Sequence, residues 1–276
     1  MLYHTRGIAL HTTKFSETSI IARVYTERFG LQSYLVKGIR SAHSKIKPAL
    51  FQPMTLLDLT VYHKEKSTLQ NIREAANHYP YQTVSSDIRK SSVLLFVNEL
   101  ILKSIREVEP NQKMFDFLFE NCKLFDGLNE NLHLFPLWFI VHFSRLLGFA
   151  PAIEKARGMN VFNMKEGTFQ DSRPDHDFYI EGEQCRLLKI ILETSEIQAS
   201  GSRLLAPGRV HPVSGIVIAE PGTRNEVTKQ SEAKQRHPAS YEVRNDLLEK
   251  MLLYYRLHLP GFHELRSHVV LHEVLS

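Results

Sequence analysis

Four cationic side chains lie within eleven residues, directly after a predicted strand. Alternation in this strand puts Leu31, Ser33 and Leu35 on one face and Gln32, Tyr34 and Val36 on the other. The cations are Lys37, Arg40, Lys45 and Lys47, and no acidic residue lies among them. Cations spaced in this way can neutralise the phosphates of a nucleic acid and release its counterions, which makes binding strongly salt-dependent. Tyr34, just before them, could add base stacking from the face of a barrel. The alternative is a solvated basic turn with Tyr34 packed inward, and charge alone leaves both open.

The positive charge of the chain belongs to its N-terminal third. Residues 1 to 80 hold 11 Lys and Arg against 5 Asp and Glu, a net of +6, and the remaining 196 residues hold 23 against 25, a net of −2. Such an asymmetry indicates that a polyanion would bind to the N-terminal part. No apolar run reaches the roughly 18 residues of a membrane span, and no signal peptide is recognisable. We therefore expect a cytoplasmic protein that does not enter a membrane.

Short strands with little helical periodicity are predicted for residues 6 to 75. The candidates are Gly7 to Thr12, Ser19 to Thr26, Leu31 to Val36, Pro53 to Tyr62 and Leu69 to Ala75. Five strands in about 70 residues suit a small barrel, and the OB-fold is the commonest such barrel that binds nucleic acid. The sequence thus predicts an OB-fold domain over residues 1 to 80, with the basic loop between its third and fourth strands.

Helical periodicity dominates the rest of the chain, so we predict an α+β protein with a mainly helical domain over residues 81 to 276. The predicted helices are Ile88 to Glu107, Met114 to Phe125, Leu132 to Leu147, one that begins at Leu187, Tyr241 to His258, and a short one from His263. The aromatic stripe around Trp138 is interpreted as packed core rather than a ligand pocket. Short strands are predicted at Met159 to Phe162 and Asp177 to Ile180. The polar stretch 197 to 240, without an aromatic residue, is predicted to be a flexible insertion.

Catalytic and metal-binding motifs are not recognisable in the sequence. There is no GxxxxGK[ST] or GxGxxG phosphate loop and no GxSxG elbow, so no cofactor is expected. Cys122 and Cys185 are too few for a four-cysteine zinc site, and the histidines are scattered. The acids between Asp171 and Asp177 could bind a cation, but a solvated loop is the simpler interpretation. Binding is therefore favoured over catalysis.

Several separated blocks of the sequence follow one another along the chain: ETSII, KGIR, LFQP, LFVNELILKSI, FSRLLGFAP and LLYYRLHLPGF. Together they resemble the RecO family of bacterial recombination mediators and DNA repair proteins. The first three blocks resemble the family's N-terminal domain, the next two its helical domain, and the last its C-terminal signature. The resemblance covers about residues 5 to 150 and 241 to 275, and the order of the blocks makes it specific.

The resemblance implies a non-enzymatic function in DNA repair and recombination. RecO-like proteins bind single-stranded and double-stranded DNA, anneal complementary strands, pair with RecR, engage the acidic C-terminal tail of single-strand binding protein, and help load the RecA recombinase, which is thus an indirect partner. Lys37, Arg40, Lys45 and Lys47 occupy the matching basic turn and are carried over as DNA contacts. Some family members carry a four-cysteine zinc motif after the GFAP-like block, but this chain lacks it, so no metal is expected. Arg145 is the candidate for the acidic-tail site.

Other classes of function fit parts of the same pattern. A basic OB barrel could equally serve an RNA-binding protein, and a basic face could make the chain a protein adaptor for an acidic partner. A metal-dependent nuclease using the acids between Asp171 and Asp177 is the enzymatic alternative. Competition between DNA and RNA, binding to the acidic tail alone, and incubation of DNA with magnesium or manganese would separate them.

Overall fold

A computed structural model describes residues 1–39, 46–105, 109–194 and 240–275. By compactness the chain divides into two units, which are described separately. The first holds Met1–Gly127 and Leu265–Val274, and the second holds Leu128–Glu264. The predicted domain boundary at residue 80 stays a prediction, because compact packing alone does not define where an independent domain ends. No helix among the described residues is long and apolar enough to cross a membrane.

The first unit begins with a closed five-stranded barrel. Its strands are β1 (Leu2–Lys14), β2 (Ile20–Thr26), β3 (Gly30–Val36), β4 (Leu56–Tyr62) and β5 (Leu69–Asn77). Their order around the barrel is β1-β2-β3-β5-β4, with β4 closing on β1, and β3 and β5 are the one parallel pair. This confirms the predicted OB-fold barrel and, with the helices that follow, the α+β fold class.

The long first strand closes the barrel. Residues from Leu2 to Ile8 pair with β4, and residues from Gly7 to Lys14 pair with β2, so β1 is shared between two neighbours. Gly7 lies where the two pairings overlap. A Cβ atom there would be 2.8 Å from Val24 Cγ1 and 3.0 Å from Leu59 Cδ1, so the absence of a side chain lets β1 approach both neighbours.

The interior of the barrel is an apolar cluster of alternate strand residues, as expected for strands with one face inward. Its buried members are Ala9, Ile20, Ala22, Val24, Tyr34, Val36, Ile39, Phe51, Leu57, Leu59 and Val61. Two of them, Ile39 and Phe51, lie beyond the strands on either side of the basic loop. The ends of that loop are therefore anchored in the core.

Three helices complete the part of the first unit that the structure describes: α1 (Ile88–Ser104), α2 (Gln112–Gly127) and α6 (Ser267–Leu275). Asp87 caps α1 by accepting a 2.9 Å hydrogen bond from the Arg89 N–H. The helix predicted to reach Glu107 ends at Ser104, because Ile105 takes an extended backbone conformation and is buried. Residues 106–108 are outside the described part of the chain.

In its described residues, 128–194 and 240–264, the second unit combines three helices with a small antiparallel sheet. The helices are α3 (Phe135–Leu146), α4 (Gly182–Glu193) and α5 (Tyr241–His258), and the strands are β6 (Val161–Asn163), β7 (Thr168–Gln170) and β8 (Tyr179–Glu181), in the order β7-β6-β8. Trp138 is only 6% exposed, and its indole N–H donates to the Thr194 carbonyl at 3.1 Å. The aromatic stripe is thus packed core, as predicted.

The predicted flexible insertion lies almost wholly outside the described residues, which resume at Ser240. Ser240 is the N-cap of α5, and its hydroxyl accepts a hydrogen bond from the Val243 N–H at 3.3 Å. The start and end of α5 agree with the prediction.

Candidate nucleic-acid interface

Two of the four predicted cations are placed by the structure at the ends of the basic loop. Lys37 directly follows β3 and is exposed, and Lys47 is exposed at the start of a 3-10 helix, Pro48–Phe51. Their neighbours Ile39 and Phe51 are buried in the barrel core. Both ammonium groups therefore project into solvent from anchored backbone. Arg40 and Lys45 fall on residues outside the described part of the chain.

Tyr34 does not lie on the outer face of the barrel, and the prediction that it stacks on bases there is wrong. Its side chain is fully buried in the barrel core, opposite the small side chain of Ala22. Burial raises the pKa of its phenol above the usual value, so the hydroxyl stays protonated. Of the two alternatives open from the sequence, Tyr34 follows the one in which it packs inward.

A cation that sequence reasoning missed lies on the outer face of β2. Arg23 is partly exposed, between the inward-facing Ala22 and Val24. The strand register places it opposite His11 on β1 and Ser33 on β3. The alternation in the predicted strand Ser19 to Thr26 already carried this signal. The face of strands 2 and 3 is the surface with which OB barrels bind oligonucleotides.

The arginine on the β1–β4 side of the barrel is neutralised instead. Arg6 donates two hydrogen bonds to the Glu27 carboxylate, at 2.8 and 3.0 Å, and its guanidinium lies 4.9 Å from the centre of the Phe119 ring. The hydrogen bonds from Arg6 hold the pKa of Glu27 below its usual value, despite the opposing effect of burial. Arg6 is therefore committed to contacts within the unit.

A cleft of about 560 Å³ lies beside this ion pair. Three carboxylates line it, those of Glu27, Asp58 and Glu74, together with Arg6 and His4. Since carboxylates repel phosphate, the cleft itself is poorly suited to a nucleic acid. The β2–β3 side, with Arg23 and Lys37, is the better candidate.

Arg145, the predicted contact for an acidic partner tail, lies in the last turn of α3 in the second unit. It is exposed, while the residues before it on that helix, from Phe135 to Ser144, are buried. Its exposure leaves the guanidinium accessible, and its role in partner binding stays a prediction.

The described residues show no arrangement suited to metal or thiol chemistry. No three His, Cys, Asp or Glu side chains among them come together to hold a metal ion. Asp171, Asp175 and Asp177 are exposed, as in a solvated loop. Burial raises the pKa of the Cys122 thiol to about 12 and also raises that of Cys185, so neither sulfur is an activated nucleophile.

Comparison with known proteins gives the same family along the whole chain. The family model described as "Recombination protein O N terminal" matches residues 1–81, and "Recombination protein O C terminal" matches residues 85–210. A "DNA repair protein RecO" of Phocaeicola vulgatus is 30% identical over 276 residues, covering 100% of both chains. One of Bacteroides fragilis is 30% identical over 278 residues with the same coverage.

A further relative, the "DNA repair protein RecO" of Flavobacterium johnsoniae, is 34% identical over 170 residues, which are 61% of this chain and 71% of the relative. The relatives that align over their full length and the two family models, N-terminal and C-terminal, agree with the resemblance found in the sequence blocks. The chain belongs to the RecO family of DNA repair proteins.

Proposed function

We propose that the protein is a non-enzymatic recombination mediator that binds single-stranded and double-stranded DNA through its barrel. In this proposal it anneals complementary strands and helps load recombinase during DNA repair in the bacterial cytoplasm. The observation that supports it most is the charge on the β2–β3 side of the barrel, where Arg23 and Lys37 are not buried. On the other side, the arginine is already paired with a carboxylate.

The partners proposed beyond DNA follow from family membership. They are RecR, the acidic C-terminal tail of single-strand binding protein, and RecA indirectly. Arg145 is the proposed contact for the acidic tail, because an exposed guanidinium can form two parallel hydrogen bonds with a carboxylate. No metal or other cofactor has a part in this proposal.

The loop assignment predicts a specific salt dependence for single-stranded DNA. If about four phosphates are contacted, log affinity should fall with log salt with a slope of about −2.8. Replacing Lys37, Arg40, Lys45 and Lys47 together with alanine should weaken binding about tenfold or more and flatten the slope. Fluorescence anisotropy of a labelled oligonucleotide at several salt concentrations measures both quantities.

A matched control removes four exposed cations elsewhere: Lys113, Arg157, Lys165 and Arg186. The net charge changes by the same amount as in the loop variant, but these side chains lie outside the barrel. This variant should therefore keep the slope of the native protein. Equal slopes and affinities for the native protein and the loop variant would refute the loop assignment.

Tighter binding to RNA than to DNA of the same sequence would favour an RNA-binding function, and degradation of DNA with magnesium would favour a nuclease.

A further inference from the structure

One row of outward-facing side chains crosses four neighbouring strand pairs of the barrel. The strand register sets Thr13 opposite Ile21, Ile21 opposite Leu35, Leu35 opposite Asn71, and Asn71 opposite Tyr62. None of the five side chains is buried, and the residues that flank them on β2 and β3 face the core. With adjacent strands about 4.8 Å apart, the row is about 19 Å long.

An exposed aromatic ring marks each end of this row. Tyr62 is 45% exposed at the end of β4, and Phe15 is 57% exposed two residues beyond Thr13. They are the most exposed aromatic side chains of the described barrel residues, 1–39 and 46–77. An aromatic ring that remains in water forgoes the stabilisation of burial, and both rings are accessible to a ligand that could cover them.

The backbone around Phe15 is ordered by local hydrogen bonds. The Phe15 N–H donates to the Ser19 carbonyl at 3.0 Å, and the Ser16 N–H donates to the same oxygen at 3.1 Å. These bonds close the turn between β1 and β2. Phe15 is therefore held at the end of the barrel where β3 ends and Lys37 follows, because Lys14 pairs with Ile20 and Ile20 pairs with Val36.

The charge along this row fits a polyanion. Arg23 lies two residues from Ile21 on the same face of β2, and Lys14 and Lys37 are exposed at the Phe15 end. Glu17 and Glu65 lie in the loops near the two ends of the row, and Glu74 lies on β5 three residues from Asn71. Two of these three acids are thus nearest the Tyr62 end, and the three cations are nearest the Phe15 end. Aromatic rings spaced along a cationic groove are the arrangement with which proteins bind single-stranded nucleic acid, since rings stack on bases while cations contact phosphates.

We propose that single-stranded DNA crosses the barrel along the row from Phe15 to Tyr62, with these two rings stacking on its bases. Ile21 and Leu35 provide the apolar floor between them, and Arg23, Lys14 and Lys37 contact the phosphates. The occupant is a single strand and not a duplex, because the bases of a duplex are stacked on their neighbours along the helix, which leaves no face free for the rings. This inference rests on the proposed function. It assigns base stacking to Phe15 and Tyr62, because Tyr34 is buried and cannot stack on a base.

The test compares the full chain with Phe15→Ala, Tyr62→Ala and the double variant. Each single change should weaken binding to an oligothymidine about tenfold, and the double change about a hundredfold, with an unchanged salt slope. All three variants should bind an abasic oligonucleotide of equal length, and a duplex, with the same affinity as the native protein does. Tyr62→Phe should bind the oligothymidine as tightly as the native protein does, because it keeps the ring. Phe15→Leu should bind more weakly, because it keeps only the apolar bulk.

Leu95→Ala provides the control, since Leu95 is 51% exposed on α1 and lies off the row. If the double variant binds the oligothymidine as tightly as the native protein does, the stacking assignment is wrong while the proposed function stands. If the native protein binds no single strand even at low salt, both fail. Preferential loss of RNA binding over DNA binding in the ring variants would overturn the choice of DNA as occupant.

Discussion

Replacing Asp126 with alanine is expected to lower the free energy of unfolding of the first unit by about 3 kcal/mol or more. Asp126 lies in the last turn of α2 and is 1% exposed. Its carboxylate accepts hydrogen bonds from the backbone N–H groups of Gln82, Thr83 and Val84, at 2.8 to 3.0 Å. These residues link the barrel to α1, so alanine would leave three backbone donors of that link without their acceptor.

The charge on Asp126 adds to this effect. Burial alone would raise the pKa of the carboxyl, but the three N–H donors outweigh burial and hold the pKa below its usual value. Asp126→Asn keeps the shape but turns one acceptor oxygen into a donor, so an intermediate loss of stability is expected. Asp175→Ala, at an exposed loop position, is the control and should change stability by about 0.5 kcal/mol or less.

The measurement for Asp126 has to report on the correct unit. The single tryptophan, Trp138, belongs to the second unit, so its fluorescence is a poor probe here. Hydrogen exchange of peptides from residues 79–84 and from α2 during a urea titration follows the first unit directly. Unchanged protection of these peptides in Asp126→Ala would contradict the prediction.

Removing the Glu99 carboxylate should loosen α6 from α1. Glu99 accepts hydrogen bonds from the Arg266 and Ser267 N–H groups, at 3.0 and 2.8 Å, and from the Ser267 hydroxyl at 2.6 Å. It thereby caps the first turn of α6, and Lys103 adds an ion pair at 3.0 Å. Glu99→Gln should cost about 2 kcal/mol at neutral pH and reduce the exchange protection of α6.

The contribution of Glu99 to the free energy of unfolding should decrease as the pH is lowered. Burial opposes ionisation, but the hydrogen bonds from Ser267, Lys103 and Arg266 outweigh it and lower the pKa of Glu99 from 4.5 to about 2. A group whose pKa falls on folding contributes its full stabilisation above the unfolded value and loses it as pH falls through the folded value. The stability difference between native protein and Glu99→Gln should therefore shrink between about pH 4.5 and pH 2.

Chemical denaturation at pH 7 and at pH 3 measures that difference. Glu120→Gln is the control, because Glu120 is exposed and its ion pair with Lys123 lies on the surface, where such pairs contribute little. A stability difference for Glu99→Gln that is the same at both pH values would contradict the assigned pKa.

Local sequence pattern was sufficient to predict the five barrel strands and most helices, but not the ends that depend on distant pairing. β1 was predicted from Gly7 and begins at Leu2, because its first residues are ordered by pairing with β4 some 60 positions later. β7 is three residues long, too short for an alternation to be recognised. The start of β1 therefore depends on strand pairing that closes the barrel over a long sequence distance, and a local sequence pattern does not reveal it.

The same limit explains the outcome at the candidate site. Alternation in β3 correctly separated Tyr34 and Val36 from Ser33 and Leu35, but both sets contain apolar residues, so it could not tell which set faces inward. Exposure of Lys37 and Lys47 was predictable from charge alone. Phe15 and Tyr62 are 47 positions apart in the sequence, and only the register across five strands joins them in one row.

Annealing of complementary oligonucleotides by the full chain tests the central claim most directly, first with bare strands and then with strands coated by single-strand binding protein. The proposal predicts that the native protein accelerates annealing of both. It also predicts that the variant lacking the four loop cations accelerates neither, while the control variant lacking four cations elsewhere matches the native protein. The proposal would be contradicted if the native protein did not accelerate annealing, or if the loop variant accelerated it as much as the native protein does.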